Sequence, residues 1–395
     1  MLLTEDIDRL AAFEPVPFPV LSLYLDARAD GTGRDNFDQF LRKAFRDRLR
    51  TYRPHSPEHA SFSADVERIK RYLANELQSS TNGVVIFACA GADGFFEAYQ
   101  LDAAIDDHRL YVDDQPHLYP LARLHDQYPR YAAVVADTNF ARILVYSTGQ
   151  VVRHDEIQGV KTKQTKVGGW SQARYQRHVG EYHQQHVKEI ADVLDRVVRA
   201  EGIDQIVIGG DDVFVSLVRS EFPQHLLEKV LDIIPLDIGA PERSVLAATL
   251  DALRQKDAET DAQVVDRLFE AVRGSNLGVL GAEDTLAALQ LGQVDELVIT
   301  ARPDILTNVD HLATSTPAVT PTPTGNVAEG LAAVEAAAAV AEEAAPPAEP
   351  VPAPDKVADQ LVTLARQTSA HVRFIEEPAL LAEVGGVGAF LRFRI

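Results

Sequence analysis

The sequence predicts an α/β protein of three domains, each a mixed sheet packed with helices. Short apolar runs of strand composition alternate with stretches of helical periodicity along most of the 395 residues, as in layered α/β folds. The chain is also too long for one hydrophobic core, so the alternation must be partitioned. A composition of 46% hydrophobic and 25% charged residues is that of ordinary globular protein.

In the first domain, residues 1–127, Phe18 to Asp26 and Gly83 to Ala88 read as strands, with helical patterns over Phe37 to Tyr52 and Val66 to Leu77 between them. The second domain, 128–273, opens with strands at Tyr131 to Asp137 and Ala141 to Tyr146, joined by a short turn. A long amphipathic helix follows, with Tyr175, Val179, Tyr182, Val187, Ile190, Leu194 and Val198 on one stripe. Ile203 to Ile208 is then a buried-type strand ending in Gly209 and Gly210, with helix through Phe214 to Val218. The third domain, 274–395, holds Leu277 to Leu280, a helix from Ala282 to Leu291 and a strand from Glu296 to Thr300. Residues 314–356 are nearly all Ala, Pro, Thr and Glu. Such composition buries too little to offset its ordering entropy, so a mobile insertion is expected. Ordered pattern resumes with a helix over Val357 to Gln367, a strand from His371 to Glu376 and a last strand within Gly385 to Ile395.

The single cysteine, Cys89, excludes an internal disulfide framework. The first residues lack a signal-peptide pattern and no apolar run reaches about 18 residues, so a cytoplasmic protein without membrane contact is expected. The net charge of −21 argues against general coating of nucleic acid, which needs Lys and Arg. Against it, Lys161 to Gly180 carries Lys161, Lys163, Lys166, Arg174 and Arg177 and no acid. That run suits either a solvated loop and helix face or a local phosphate-binding site.

Its centre is Lys166 to Arg177, KVGGWSQARYQR. Gly168 and Gly169 lack Cβ atoms and let the backbone approach another molecule closely. Ser171 suits the N-cap of the following helix. Arg174 and Arg177 lie about one turn apart near its start, where backbone N–H groups also favour an anion.

This segment resembles the middle domain of the archaeal and eukaryotic class-I peptide chain release factors (the release factor subunit 1 and Pelota-like family). There a Gly-Gly-Gln loop is followed by Ser, Ala, any residue, Arg, Phe, any residue, Arg. Gly168, Gly169, Ser171, Arg174 and Arg177 match, and Tyr175 replaces Phe. Gly274 to Thr300 and the closing GGVGAFLRF, Gly385 to Phe393, resemble the family's third domain. The resemblance implies a three-domain release-factor-like architecture and a ribosome-binding protein that meets rRNA and peptidyl-tRNA, with a translational GTPase as a further partner and no cofactor, metal or DNA. It implies Gly168, Gly169 and Gln172 as catalytic residues and Lys161, Lys163, Lys166, Trp170, Ser171, Arg174 and Arg177 as RNA contacts. Two departures stand out. Trp170 occupies the position of the catalytic glutamine, and indole offers one donor and no acceptor. The first domain also lacks the Asn-Ile-Lys-Ser segment that the family uses near the stop codon. Peptidyl-tRNA hydrolysis, non-catalytic occupation of the ribosomal A site and a function outside translation therefore all stay open.

Two further groups have structural readings. His154, His178, His183 and His186 cluster in sequence and read as polar helix surface or RNA contact rather than a metal site. Asp211 and Asp212 follow a strand end, where helix N-capping is expected rather than metal binding.

Overall fold

A computed structural model describes residues 4–28, 37–159, 171–275, 277–307 and 353–393, with side chains from 180 onward in the helix that starts at 171. The fold is mixed α/β with three sheets, in agreement with the sequence. The chain divides into two compact units, Met1–Arg123 with Val265–Ile395, and Leu124–Val264.

The first unit holds two sheets. β1 (Val20–Asp26) lies between β2 (Gly83–Cys89) and β4 (Arg109–Asp113), and β3 (Phe95–Leu101) pairs with β2. This sheet is antiparallel throughout, with Ser22 opposite Phe87 and Tyr111. Two helices cover it, α2 (Asp38–Leu49) and α3 (Pro57–Asn75), following a short α1 (Thr4–Ala11). The α3 helix starts well before Val66 because Ser56 caps it, its Oγ accepting from His59 N–H at 3.2 Å, and because Pro57 suits a first turn. Leu21, Leu23, Leu25, Phe45, Phe62, Ile69, Val84 and Ile86 fill the core between these layers. β3 and β4 escape a reading of the sequence because their faces are only half-buried, so no apolar run marks them.

The second sheet of this unit runs β10 (Gly278–Leu280), β13 (Val387–Leu391), β11 (Val294–Thr300), β12 (His371–Ile375). β11 and β12 are parallel, which requires a crossover. Residues 308–352, most of the expected mobile insertion, fall within that crossover and outside the described residues. The insertion is expected to reach Lys356, but helix α10 (Ala353–Gln367) already begins at Ala353, with Pro354 and Asp355 suited to a first turn. The final strand is shorter than expected, since Gly385 and Gly386 take φ of 78° and 84° and form a turn. A Cβ on Gly386 would stand 3.0 Å from Leu306 Cδ2, so that turn requires glycine. Helix α9 (Ala282–Gln290) and α10 pack on this sheet through Leu286, Leu289, Val357, Leu361 and Val362.

These two sheets meet at a polar junction that is fully buried. Helix α4 (Tyr119–Gln127) has its first N–H groups satisfied from a distant helix: Asp359 on α10 accepts from Leu118 N–H and, at 3.0 Å, from Tyr119 N–H. His117 stacks on Tyr111 with ring centroids 3.7 Å apart. Its N–H donates to Ser22 Oγ at 2.9 Å and its carbonyl accepts from Tyr24 OH at 2.6 Å. The Tyr119 hydroxyl donates to Thr300 O at 2.6 Å. Burial pushes the Asp359 carboxyl up to about 7 and the His117 imidazole down to about 3.

The second unit is built on the sheet β7 (Gln150–Gln158), β6 (Phe140–Ser147), β5 (Tyr131–Ala136), β8 (Ile206–Gly210), β9 (Val230–Ile234). Side chains of β5 alternate between two cores. Ala132, Val134 and Ala136 face α5 (Ser171–Glu201), and Tyr131, Ala133 and Val135 face the first part of α8 (Glu242–Glu270). β7, which the sequence does not announce, is a charged edge strand without an apolar run. Helix α6 (Asp212–Glu221) follows β8, and α7 (Gln224–Leu227) precedes β9. Among the described residues, no helix is long and apolar enough to cross a membrane.

Candidate functional site

The β7–α5 connection carries the glycine-arginine segment. Lys161, Lys163, Lys166, Gly168, Gly169 and Trp170 lie outside the described residues. Ser171, Gln172, Arg174 and Arg177 fall in the first two turns of α5. Ser171 is the first helical residue rather than the cap before it, within the latitude of helix ends.

What the fold defines is the support of this segment. At 31 residues α5 is about 46 Å long. Its buried stripe consists of His186, Val187, Ile190, Ala191, Leu194, Val197 and Val198. None of the side chains from Gly180 to Gln185 is buried, and Tyr182, expected on the apolar stripe, is 43% exposed. A Cβ at Gly180 would likewise meet nothing within 4 Å. Among the described side chains of α5, His186 is the first that is buried, six residues after Gly180.

The base of this arm is tightly made. Asp137 Oδ1 accepts from Asn139 N–H at 2.7 Å and Phe140 N–H at 2.8 Å, closing the β5–β6 turn. Gly159, just past β7, donates its N–H to Asn139 O at 2.8 Å. A Cβ at Gly159 would stand 3.0 Å from His186 Nδ1 and 3.1 Å from Asn139 O. Only glycine lets the strand end sit this close to the helix. His186 is 3% exposed, neither ring nitrogen has a hydrogen-bond partner among the described residues, and burial lowers its pKa. This corrects the reading of His186 as polar surface: the ring is a packing element at the foot of the arm. The sequence holds a faint signal for it, since His186 stands one residue before the apolar stripe and Gly159 directly follows a strand.

The remaining candidates have structural roles. His183 is half-exposed, and His154 pairs with Glu242 at 3.2 Å and Glu156 at 3.6 Å. Asp211 caps α6 as expected, its Oδ1 accepting from Phe214 N–H at 2.8 Å. Among the described residues no group of three His, Cys, Asp or Glu side chains could hold a metal ion.

Two family models match consecutive parts of the chain. Residues 116–254 match Bacterial archaeo-eukaryotic release factor family 10, and residues 258–395 match eRF1 domain 3. Among curated proteins, an uncharacterized protein of Mycobacterium tuberculosis is 26% identical over 194 residues, covering 48% of this chain and 52% of its own. Peptide chain release factor subunit 1 of Thermococcus kodakarensis is 23% identical over 250 residues, covering 59% of this chain and 60% of its own. The chain thus spans about half to three fifths of the curated relatives it matches. Among solved structures, the archaeal translation termination factor aRF1 aligns over 99% of both chains at 15% identity with a TM-score of 0.26. Dom34 of S. cerevisiae, a translation termination-like factor, aligns over 79% of this chain and 80% of its own at 10% identity with a TM-score of 0.36. With its middle and last thirds matched by successive release-factor models, the chain is a relative of the archaeal and eukaryotic release factors, of the bacterial kind that the first model describes.

Proposed function

We propose that this protein is a ribosome-binding translation factor of termination or rescue, organised as domains 1–127, 128–273 and 274–395. In this reading the start of α5 enters the ribosomal A site and meets rRNA and peptidyl-tRNA. The observation that carries it is the support of the family's loop. Arg174 and Arg177 fall in the first two turns of a helix whose described side chains from Gly180 to Gln185 are not buried, with the buried stripe starting at His186. A helix packed from His186 onward and unburied from Gly180 to Gln185 suits delivery of a cationic tip into a phosphate-lined channel. Lys161, Lys163, Lys166, Ser171, Arg174 and Arg177 would then meet phosphates, and Trp170 would stack on a base. The relatives add partners: one solved complex is a ribosome-bound archaeal Pelota with ABCE1, and Dom34 is described as interacting with Hbs1. A translational GTPase partner is proposed here on that likeness.

Hydrolysis of peptidyl-tRNA is the finer proposal. It needs a water held in line with the ester carbonyl, and such positioning supplies several kcal/mol. Gly168 and Gly169 would let the backbone approach, and Gln172 would supply the amide that Trp170 lacks. Trp170 itself favours the second reading, a factor that occupies the A site without chemistry. A peptide-release assay on purified ribosomes separates the two. If Gln172 positions water, wild type releases peptide, Gln172→Ala loses most of that activity, and Trp170→Ala weakens binding more than chemistry. Wild type that binds ribosomes tightly and releases no peptide leaves only the occupant.

A further inference from the structure

We infer that the outer face of α2 is a second phosphate-binding surface, one that grips helical RNA without reading its sequence. From Leu41 to Arg53 the chain holds Arg42, Lys43, Arg46, Arg48, Arg50 and Arg53 against one acid, Asp47. This run has the same net charge, +5, as the arm segment, in a protein of net charge −21.

The fold turns the run into a surface. Leu41 and Phe45 are buried under the first sheet, with Phe40 and Leu49 packed beside them. Helical spacing then sends Arg42, Lys43, Arg46 and Arg50 outward, with Arg53 exposed in the turn that follows. From Arg42 to Arg50 the row spans about 12 Å, a little over two turns, with Arg53 beyond the helix end. Arg48 is the exception and serves as a brace, donating to Val112 O at 3.1 Å and Tyr52 OH at 3.3 Å. Acidic neutralisation is slight: Arg42 reaches the exposed Asp38 only at 3.7 Å, and Arg46 contacts its neighbour Asp47 at 3.2 Å. Lys43, Arg50 and Arg53 have no ion pair among the described residues.

The chemistry of the face selects its ligand. Four of the five outward cations are arginines, whose guanidinium fork matches phosphate oxygens in pairs. An anionic membrane surface would also require an apolar side to insert, and the apolar side of α2 is already spent on the core. A protein partner would require a large apolar or aromatic anchor in the row, and none is exposed there. A row of cations with nothing between them fits the phosphate backbone of an RNA helix, where shape and charge rather than base edges are read.

The test uses the intact protein and a short fluorescent RNA duplex, with no ribosome present, so its outcome is independent of the proposed ribosomal function. Binding is measured by anisotropy between about 50 and 200 mM salt. Five phosphate contacts predict a log–log salt slope of about −4. Arg50→Gln with Arg53→Gln should weaken binding about tenfold at low salt and make the slope shallower by about two. Both residues are exposed, and an unchanged melting curve verifies the fold. Lys188→Gln with Lys256→Gln, exposed cations outside both basic segments, should retain the duplex affinity of wild type. The inference is overturned if the α2 variant binds as wild type does, or if this control weakens binding as much as the α2 variant. It is equally overturned if phosphatidylserine vesicles bind wild type as tightly as RNA does and lose that binding in the α2 variant.

Discussion

The junction around Asp359 and the arm at the start of α5 are opposite kinds of structure. At the junction, Ser22, Tyr24, Tyr111, His117, Tyr119, Thr300 and Asp359 converge from segments far apart in sequence, all of them buried, and their hydrogen bonds fix one geometry. The arm is one continuous stretch whose described side chains from Gly180 to Gln185 are not buried. The difference separates maintenance of the fold from contact with a partner. Substitutions at the junction should change stability and leave binding by the folded fraction intact, and substitutions in the arm should do the reverse.

The largest effect on stability is expected from Tyr119→Ala. It removes a buried ring packed edge-on to Phe374 at 5.4 Å, together with the hydroxyl bond to Thr300 O. A loss of about 3–5 kcal/mol follows, measurable by denaturant unfolding. A variant as stable as wild type would show that the junction is dispensable.

Asp359 comes next, and pH gives it a signature. Its folded pKa of about 7 lies above the ordinary 3.8, so its contribution to stability is full below about pH 4 and is lost as pH rises to 7. His117, held at about 3 against an ordinary 6.5, contributes fully above about pH 6.5, and that contribution is lost as pH falls toward 3. The two oppose each other between pH 4 and 6.5. Asp359→Asn keeps the carbonyl acceptor for Leu118 and Tyr119 and an uncharged partner for His117 Nδ1, which lies 3.5 Å from Asp359 Oδ2. Its stability should therefore climb with pH across that window by up to about 1.4 kcal/mol per unit more than wild type. Asp359→Ala leaves two buried N–H groups unpaired and should cost about 1–3 kcal/mol. Parallel pH profiles for wild type and Asp359→Asn would break this account.

Asp211→Ala, which removes the α6 cap, should lower stability by only about 1 kcal/mol. Magnesium should not shift the melting temperature of wild type, and a clear shift would return Asp211 and Asp212 to the metal-site candidates.

What can be read from sequence divides along the same line. The strands β1, β2, β5, β6 and β11, and the Asp211 cap, are local patterns of apolar runs and turn chemistry, and they stand where expected. Ser171, Gln172, Arg174 and Arg177 likewise fall at the start of the helix expected there. Asp359 is invisible in the sequence, because a carboxylate that caps a helix some 240 positions away in the chain has no local signature. His186 is misleading because four histidines close together suggest surface, whereas burial depends on the turn that Asn139 and Gly159 bring against it. β7 and α8 are hidden because charged residues interrupt their apolar positions.

The central claim, that the head of α5 is the ribosome contact, is tested most directly by co-sedimentation with ribosomes. Wild-type protein should pellet with ribosomes at low salt and be released as salt rises. Arg174→Glu with Arg177→Glu should remain in the supernatant while melting within about 0.5 kcal/mol of wild type, since negative charge near a helix start is tolerated. A correctly folded double variant that pellets as wild type does would contradict the account.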